Sequence, residues 1–335
     1  MKKLSILGAG SWGTALSILL SQNGHPVTVW SVLDDEIKML KLHREHKEKL
    51  PGAIVPPGVE FTTDLKSCLD DSVVTVFVVP SQTVRETARK IGPYLQKEAI
   101  TVICSKGLEE STGLRLSEVV RQELDGTRVV ALTGPSHAEE VALGMPTTVV
   151  AASTDRQAAE MIQDIFMSPR FRVYTSPDII GAELGAALKN IIALCAGICD
   201  GLGYGDNCKA ALITRGLTEI ARLGKAMGAC TDTFSGLTGM GDLIVTCTSR
   251  HSRNWRAGYL IGRGMPLEKA LAEIKMVVEG VTAAKAAYSL SRRTGVNMPI
   301  VEQACKILFE GKSPALAVEA LMVRSKKNEI EDVGW

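Results

Sequence analysis

The chain has 335 residues, with 38 Lys+Arg against 37 Asp+Glu and a formal net charge of +1. That balance excludes an overall electrostatic pull toward nucleic acid or an anionic membrane. With 45% hydrophobic and 22% charged residues the composition is that of an ordinary globular protein, and the length predicts two domains of roughly 100–200 residues.

Leu4-Ser5-Ile6-Leu7 predicts a strand and Ser11–Gln22 a helix. Gly8-Ala9-Gly10-Ser11-Trp12-Gly13 joins them as a GxGxxG. That pattern is weak alone. Here it follows a strand, opens a helix and precedes a second strand, Val27–Trp30, after the turn Asn23-Gly24-His25-Pro26, and this context predicts a dinucleotide site. Gly8 serves the tight turn, Gly10 the approach of a pyrophosphate, and Gly13 the packing of helix on strand. The helix N-terminus offers N–H groups and partial positive charge to the phosphates. Met1-Lys2-Lys3 and the apolar run after it mimic a signal peptide, but Gly8, Gly10 and Gly13 interrupt the run and no small-residue cleavage site follows.

The residues that meet the cofactor ribose are expected at the end of the second strand, Asp or Glu for NAD and Arg for NADP. The sequence there is Trp30-Ser31-Val32-Leu33-Asp34, which fits neither. The following segment, 43–58, is rich in charge and proline and predicts a loop with a solvated face. Val73–Val79 is nearly all β-branched, as expected of a strand buried on both faces. Ala99–Cys104, Arg128–Leu132, Thr147–Ala152 and Arg170–Tyr174 continue the series of strands, with helices near 81–91, 111–123, 136–143 and 155–167. This alternation predicts a mostly parallel, doubly wound sheet with helices on both faces.

After Thr175-Ser176-Pro177 no strand is predicted, and long helices are expected over 178–200, 208–228, 266–275, 280–294 and 299–310. The fold class is therefore α/β, a Rossmann-type N-terminal sheet followed by an all-helical C-terminal domain. The expected domains are 1–176 for the dinucleotide and 177–335 for substrate and catalysis. Gly181–Cys199 is apolar enough to suggest a membrane span, but Glu183, Lys189 and Asn190 inside it favour a buried helix. The polar tail from Arg324 to Trp335 is expected to fray. The eight cysteines are scattered without a CxxC pair, which predicts reduced core thiols in a cytoplasmic protein and no metal site. Cys195 and Cys199 share a helix face but lack further ligands.

Three features of the second half carry chemistry. A lysine placed like Lys189 either trades a proton near neutral pH, its pKa lowered by burial, or runs its stem across apolar surface to water; position alone leaves both open. Gly236-Leu237-Thr238-Gly239-Met240-Gly241-Asp242 predicts a loop that passes close to a ligand and presents Asp242. Ser252-Arg253-Asn254 is suited to a phosphate, or equally to a capped helix start with a surface arginine.

Together these pieces closely resemble the bacterial NAD(P)-dependent glycerol-3-phosphate dehydrogenases over nearly the whole chain. The resemblance is carried by Gly8–Ala15, Leu50-Pro51-Gly52, Val79-Pro80-Ser81-Gln82, Ser105-Lys106-Gly107-Leu108-Glu109 and Gly134-Pro135-Ser136-His137-Ala138. It continues through Leu188-Lys189-Asn190, Gly205–Gly216, Gly241-Asp242-Leu243, Ser252-Arg253-Asn254 and Val278-Glu279-Gly280. It implies an enzyme that interconverts dihydroxyacetone phosphate and sn-glycerol 3-phosphate, the backbone of phospholipids. On the matching positions Lys189 would accept the proton of the C2 hydroxyl, or donate it in reduction. Lys106, Gly134, Ser136, Lys189, Asp242, Ser252, Arg253 and Asn254 would line the substrate site. Ser11, Trp12, Lys106, Ala138, Arg253, Val277 and Glu279 would join Gly8, Gly10 and Gly13 at the cofactor. Asp242 would orient the lysine ammonium and offset the cost of its burial.

The chain departs from the family pattern at three places. Ser31-Val32 stand where an arginine is common, Lys49 precedes Leu-Pro-Gly where a tyrosine is common, and Cys208 follows Gly-Asp-Asn where a threonine is common. Ser31 leaves the choice between NADH and NADPH open, and both are expected to support turnover; Arg44, Lys47 and Lys49 are the cations placed to reach the adenosine end. Two other readings compete: a dehydrogenase of a non-phosphorylated hydroxy acid, and a non-catalytic dinucleotide sensor. The expected partners are dihydroxyacetone phosphate and sn-glycerol 3-phosphate and a second copy in a homodimer, with no nucleic acid and no membrane insertion.

Overall fold

The computed structural model describes residues 2–326, 328 and 329. Part of the tail expected to fray, 327 and 330–335, lies outside them. The first 62 residues run β1 (Leu4–Leu7), α1 (Ser11–Gln22), β2 (Val27–Trp30), α2 (Asp34–His43), β3 (Glu45–His46), β4 (Leu50–Ile54) and β5 (Val59–Thr62). Then come α3 (Leu65–Leu69), β6 (Val74–Phe77), α4 (Val84–Ile91), β7 (Ile100–Ile103), α5 (Leu116–Glu123), β8 (Arg128–Thr133), α6 (Ala138–Ala142), β9 (Thr147–Ala152), α7 (Arg156–Phe166) and β10 (Phe171–Ser176). Helices alone follow: α8 (Ile179–Gly201), α9 (Asp206–Ala226), α10 (Asp242–Thr248), α11 (Arg253–Gly262), α12 (Leu267–Ile274), α13 (Glu279–Thr294), α14 (Pro299–Glu310) and α15 (Pro314–Met322).

Eight strands form one sheet in the order β10-β9-β8-β7-β6-β1-β2-β5, parallel throughout except at the β8–β9 pair. Every residue of β1, β2, β6 and β7 is buried, as helices on both faces require. The chain leaves β1 toward β2 on one side and later returns to β6 on the other, so β1 and β6 flank the switch point where such sheets bind ligands. The proline-rich segment is more ordered than its composition suggests. β3 and β4 pair antiparallel, and the Arg44 guanidinium donates to the carbonyls of Val55, Pro56 and Val59.

α8 is the axis of the second half. It is the one helix among the described residues long and apolar enough to cross a membrane, but 94% of that window is buried inside the fold. Its neighbours are α9, α10, α11 and α13. The seam with α11 is backbone against backbone: a Cβ on Gly197 would lie 2.0 Å from the Trp255 carbonyl oxygen, and one on Gly258 would lie 1.9 Å from that of Leu194. Gly201 and Gly262 repeat the contact one turn on. α8 is also tied to the sheet domain. Buried Glu183 accepts from Arg115 Nη1 at 2.7 Å and from the Ser117 amide at 2.7 Å.

Candidate active site

The GxGxxG turn adopts the geometry its glycines allow. Gly8 has φ of +119°, and a Cβ on Gly13 would meet the Gly8 carbonyl oxygen at 1.9 Å. Gly10, by contrast, has open space where its Cβ would stand. The first turn of α1 carries no acidic residue, and its N–H groups have no acceptor within the helix. The buried indole N–H of Trp12 has no partner among the described residues. A close-packed turn, an open approach at Gly10 and free donors fit a dinucleotide pyrophosphate.

Where the sheet domain meets α8, one carboxylate organises two lysines. Asp242 opens α10 and is 1% exposed. Its Oδ1 accepts from Lys189 Nζ at 2.5 Å and its Oδ2 from Lys106 Nζ at 2.9 Å. Lys189 comes from the middle of α8 and Lys106 from the loop after β7, so the triad spans both halves of the chain. Burial pushes the Asp242 pKa up, but the Lys106 and Lys189 ammonium groups outweigh it and the net direction is down. Burial first, and then the Lys106 charge, bring Lys189 down to about 8 against the pull of Asp242. Of the two placements open at Lys189, the one that reaches water is not adopted: the residue is 4% exposed.

The two ammonium groups differ in what they have left to give. Lys106 meets three acceptors: Asp242, the Gly134 carbonyl at 2.9 Å and Ser136 Oγ at 3.4 Å. Lys189 meets two, Asp242 and Thr246 Oγ1 at 2.7 Å. An ammonium has three N–H donors, so Lys189 keeps one for a further oxygen. Sequence reasoning missed Thr246. Its signal was the spacing from Asp242, four residues on one helix, which sets both side chains on one face, but no helix was expected over α10, which follows directly on the glycine-rich loop. The segment before them, Leu237–Gly241, is a π-helical turn packed so close that a Cβ on Gly185 would lie 2.4 Å from the Thr238 carbonyl oxygen.

Of its two readings, Ser252-Arg253-Asn254 adopts the capped helix start. Ser252 Oγ caps α11 by accepting from the Trp255 amide at 3.2 Å. Asn254 accepts from the Gly280 amide at 2.8 Å and donates to Asn190 Oδ1 at 2.9 Å; Asn190 in turn donates to the Lys106 carbonyl at 3.3 Å. This relay ties α11, α13 and α8 to the Lys106 loop, and it leaves Asn254 one N–H. Arg253 is half-buried and has no hydrogen-bond or ion-pair partner among the described residues. Burial pulls its pKa down, against the charges of Glu279 and Glu139. Glu279 begins α13 and accepts from the Ser81 amide at 3.0 Å and from the Ser81 hydroxyl, beside Gly107. Val277 is exposed just before it, and Ala138 is buried at the start of α6. His137, next to Ser136, has a buried Nε2 without a partner among the described residues.

The adenosine end differs from expectation. Ser31 is 4% exposed and its hydroxyl donates to Glu36 Oε2 at 2.7 Å. Glu36 also holds the Lys49 ammonium and lies 3.5 Å from His46 Nε2. Burial raises its pKa, but the His46, Lys49 and Ser31 hydrogen bonds win and bring it to about 2. Of the cations expected to reach over the adenosine, Arg44 is turned onto loop carbonyls and Lys49 onto Glu36. Glu36 escaped the sequence reading because it lies on α2, five residues beyond Ser31, and only folding brings the two together.

The chain is similar in sequence and structure to known proteins. Residues 3–159 match the family model described as NAD-dependent glycerol-3-phosphate dehydrogenase N-terminus, and 178–319 match that of its C-terminus. The chain is 56% identical over 333 residues to glycerol-3-phosphate dehydrogenase [NAD(P)+] of Desulfitobacterium hafniense, covering 99% of this chain and 94% of that one. It is 54% identical over 336 residues to the protein of the same name from Bacillus subtilis, covering 99% and 97%. The crystal structure of glycerol-3-phosphate dehydrogenase from Coxiella burnetii superposes with a TM-score of 0.94 at 37% identity, covering 96% of this chain and 99% of that one.

Proposed function

The chain belongs to the NAD-dependent glycerol-3-phosphate dehydrogenase family, and from that premise we propose how its residues divide the work. It is an NAD(P)-dependent oxidoreductase that interconverts dihydroxyacetone phosphate and sn-glycerol 3-phosphate, the latter a precursor of phospholipids. Our reading places cofactor binding in residues 1–176 and substrate binding and proton transfer in 177–335, with the reaction in the cleft between them.

When bound, the nicotinamide supplies hydride to substrate C2 or takes it from there. Lys189 handles the proton. As the ketone is reduced, negative charge grows on its oxygen; the free N–H of Lys189 stabilises that charge and then transfers the proton. In the reverse direction neutral Lys189 takes the proton from the C2 hydroxyl. The observation that carries this reading is the shared carboxylate of Asp242, which grips Lys106 and Lys189 on opposite oxygens and leaves only Lys189 with a donor to spare. The Lys106 ammonium, held by Gly134 and Ser136, lies beside it, and its charge raises the acidity of Lys189. Arg253 takes the substrate phosphate, aided by the remaining N–H of Asn254, and fixes C2 in place by remote binding energy. Ser252 sets the helix start that presents both. On the cofactor side Gly8, Gly10, Ser11, Trp12 and Gly13 take the pyrophosphate, and Ala138, Val277 and Glu279, with Lys106 and Arg253, line the remainder.

Lys189→Ala tests the assignment. It is expected to lose about 10²–10⁴-fold in kcat, the usual share of general acid–base catalysis, while binding NADH as before. A folded variant with near-normal kcat would remove Lys189 from its role. The eight free thiols support a reducing, cytoplasmic setting. We also propose a homodimer, which sedimentation velocity decides.

A further inference from the structure

α8 and α9 are joined by a short turn through Gly201 and Gly205, and a cysteine stands on each side of it. Cys199 lies in the last turn of α8 and Cys208 in the first turn of α9. Their sulfurs are 3.8 Å apart, in direct contact. The residues that follow each cysteine form an ion pair of their own, Lys209 Nζ to Asp200 Oδ1 at 2.8 Å. Asp200 is fixed in turn by the indole N–H of Trp255 at 2.7 Å. The ion pair thus holds the same two dipeptides together in the arrangement that faces sulfur to sulfur. Both thiols line one cavity of about 680 Å³, with Leu212, Ile300 and Leu321 among its walls, so a small uncharged oxidant can reach them. Neither cysteine has a part in the hydride or proton chemistry.

We propose that Cys199 and Cys208 form a reversible dithiol–disulfide site, with hydrogen peroxide as the oxidant class. Cys208 is the more exposed and reacts first. Its sulfur attacks one peroxide oxygen, the O–O bond breaks, and a sulfenic acid and one water result. Cys199 sulfur then attacks the sulfenic sulfur, the S–O bond breaks, and its hydroxyl leaves with the Cys199 proton as a second water. Two thiols lose two electrons and two protons, and one peroxide becomes two waters. Burial and the neighbouring Cys208 push the Cys199 thiol up to about 12, so it is a weak nucleophile toward free peroxide, and it is the direct contact with the Cys208 sulfur that lets it resolve the sulfenic acid. A disulfide needs its sulfurs about 2.05 Å apart, so side-chain rotation has to close somewhat under 2 Å (roughly) from the contact already present. The product would staple the helix that carries Lys189 to its neighbour α9.

The experiment treats the reduced, full-length enzyme with a small molar excess of hydrogen peroxide, then alkylates the remaining thiols and maps them by mass spectrometry. Cys195, Cys199 and Cys208 fall in one tryptic peptide, Asn190–Lys209, so cleavage before Asp200 and Asp206 is needed to separate Cys208 from the other two, and fragment-ion sequencing of the Asn190–Cys199 piece tells Cys195 from Cys199. The expected result is loss of two alkylatable thiols and a cross-link between the fragments holding Cys199 and Cys208, reversed by dithiothreitol. Cys208→Thr should abolish the cross-link while turnover stays near normal, which also shows that the variant folds. Cys195→Ser and Cys230→Ser should keep it. All eight thiols remaining alkylatable would overturn the proposal. So would a cross-link through Cys195, or equal thiol loss in Cys208→Thr.

Discussion

Two carboxylates in this molecule hold cations in much the same way, and the difference between them shows what burial does to a charge cluster. Asp242 grips Lys106 and Lys189, its side chain 1% exposed and theirs 18% and 5%. Glu36 grips Lys49 beside His46, its side chain 12% exposed and that of Lys49 29%. The Asp242 cluster draws its members from both domains and centres on a carboxylate only 1% exposed, so each charge depends on the others. The Glu36 cluster is built from one local stretch, 31–49, and opens to solvent, where counter-ions and water replace any lost partner. The first can perform chemistry; the second can only bias which cofactor settles beside it.

If that contrast holds, the largest loss comes from taking away the shared partner. Asp242→Ala leaves two ammonium groups unpaired in the cleft. It is expected to cost about 3–5 kcal/mol of unfolding free energy, the range for a broken buried pair, and to depress kcat as well. Urea denaturation of wild type, Asp242→Ala and Asp242→Asn measures it, and a cost below about 1 kcal/mol would equate this cluster with an exposed one. Arg253→Ala is next. Loss of the phosphate partner should lower kcat/KM for dihydroxyacetone phosphate by about 2–5 kcal/mol equivalent. Unphosphorylated dihydroxyacetone, expected to be a poor substrate, should lose much less. Equal losses on both ketones would mean that Arg253 serves the cofactor or the fold.

The pH profile sharpens the contrast further. Lys189 titrates near 8. Reduction needs its protonated form, so kcat/KM for the ketone should fall about tenfold per pH unit above about 8. Oxidation needs the neutral form and should rise through the same pH. Because this pKa is lowered on folding, the unfolded chain binds the extra proton between about 8 and 10.5, and this group's contribution to stability grows with pH across that window. A flat reduction profile from pH 7 to 10 would contradict the assignment. The smallest effect belongs to Glu36. NADH and NADPH should both work in wild type, within about 100-fold in kcat/KM. Glu36→Gln removes a negative charge and frees Lys49, both of which favour a 2′-phosphate, so the ratio should move toward NADPH by less than about tenfold and fade with salt. No shift at low ionic strength would place the 2′ position elsewhere.

The sequence made the sheet legible because its strands are buried on both faces and read as unbroken apolar runs, Val73–Val79 above all. It made α8 legible for the same reason. The β3–β4 hairpin, α10 and α11 were not, because glycine, proline and charge there mark close backbone contact and local hydrogen bonding that only the folded neighbours reveal. In the site, the lysines, Asp242 and Arg253 stood out through motif and resemblance. Thr246, Glu36 and the Asn190–Asn254 relay did not, since each depends on a partner distant in the chain or on a helix not foreseen.

The glycine seam between α8 and α11 makes the cleft a ruler. Lys189 rides on one helix and Arg253 on the other, and the helices touch through Gly197, Gly201, Gly258 and Gly262 with no side chain between them. Their spacing is therefore set by backbone thickness, which no rotamer change can adjust. On the roles proposed for Lys189 and Arg253, a ligand whose anionic group lies one carbon nearer to, or farther from, its carbonyl is expected to find either the proton or the anchor out of reach. Such selectivity by length persists however the pocket walls are substituted, and it shifts only if a larger residue pries the two helices apart.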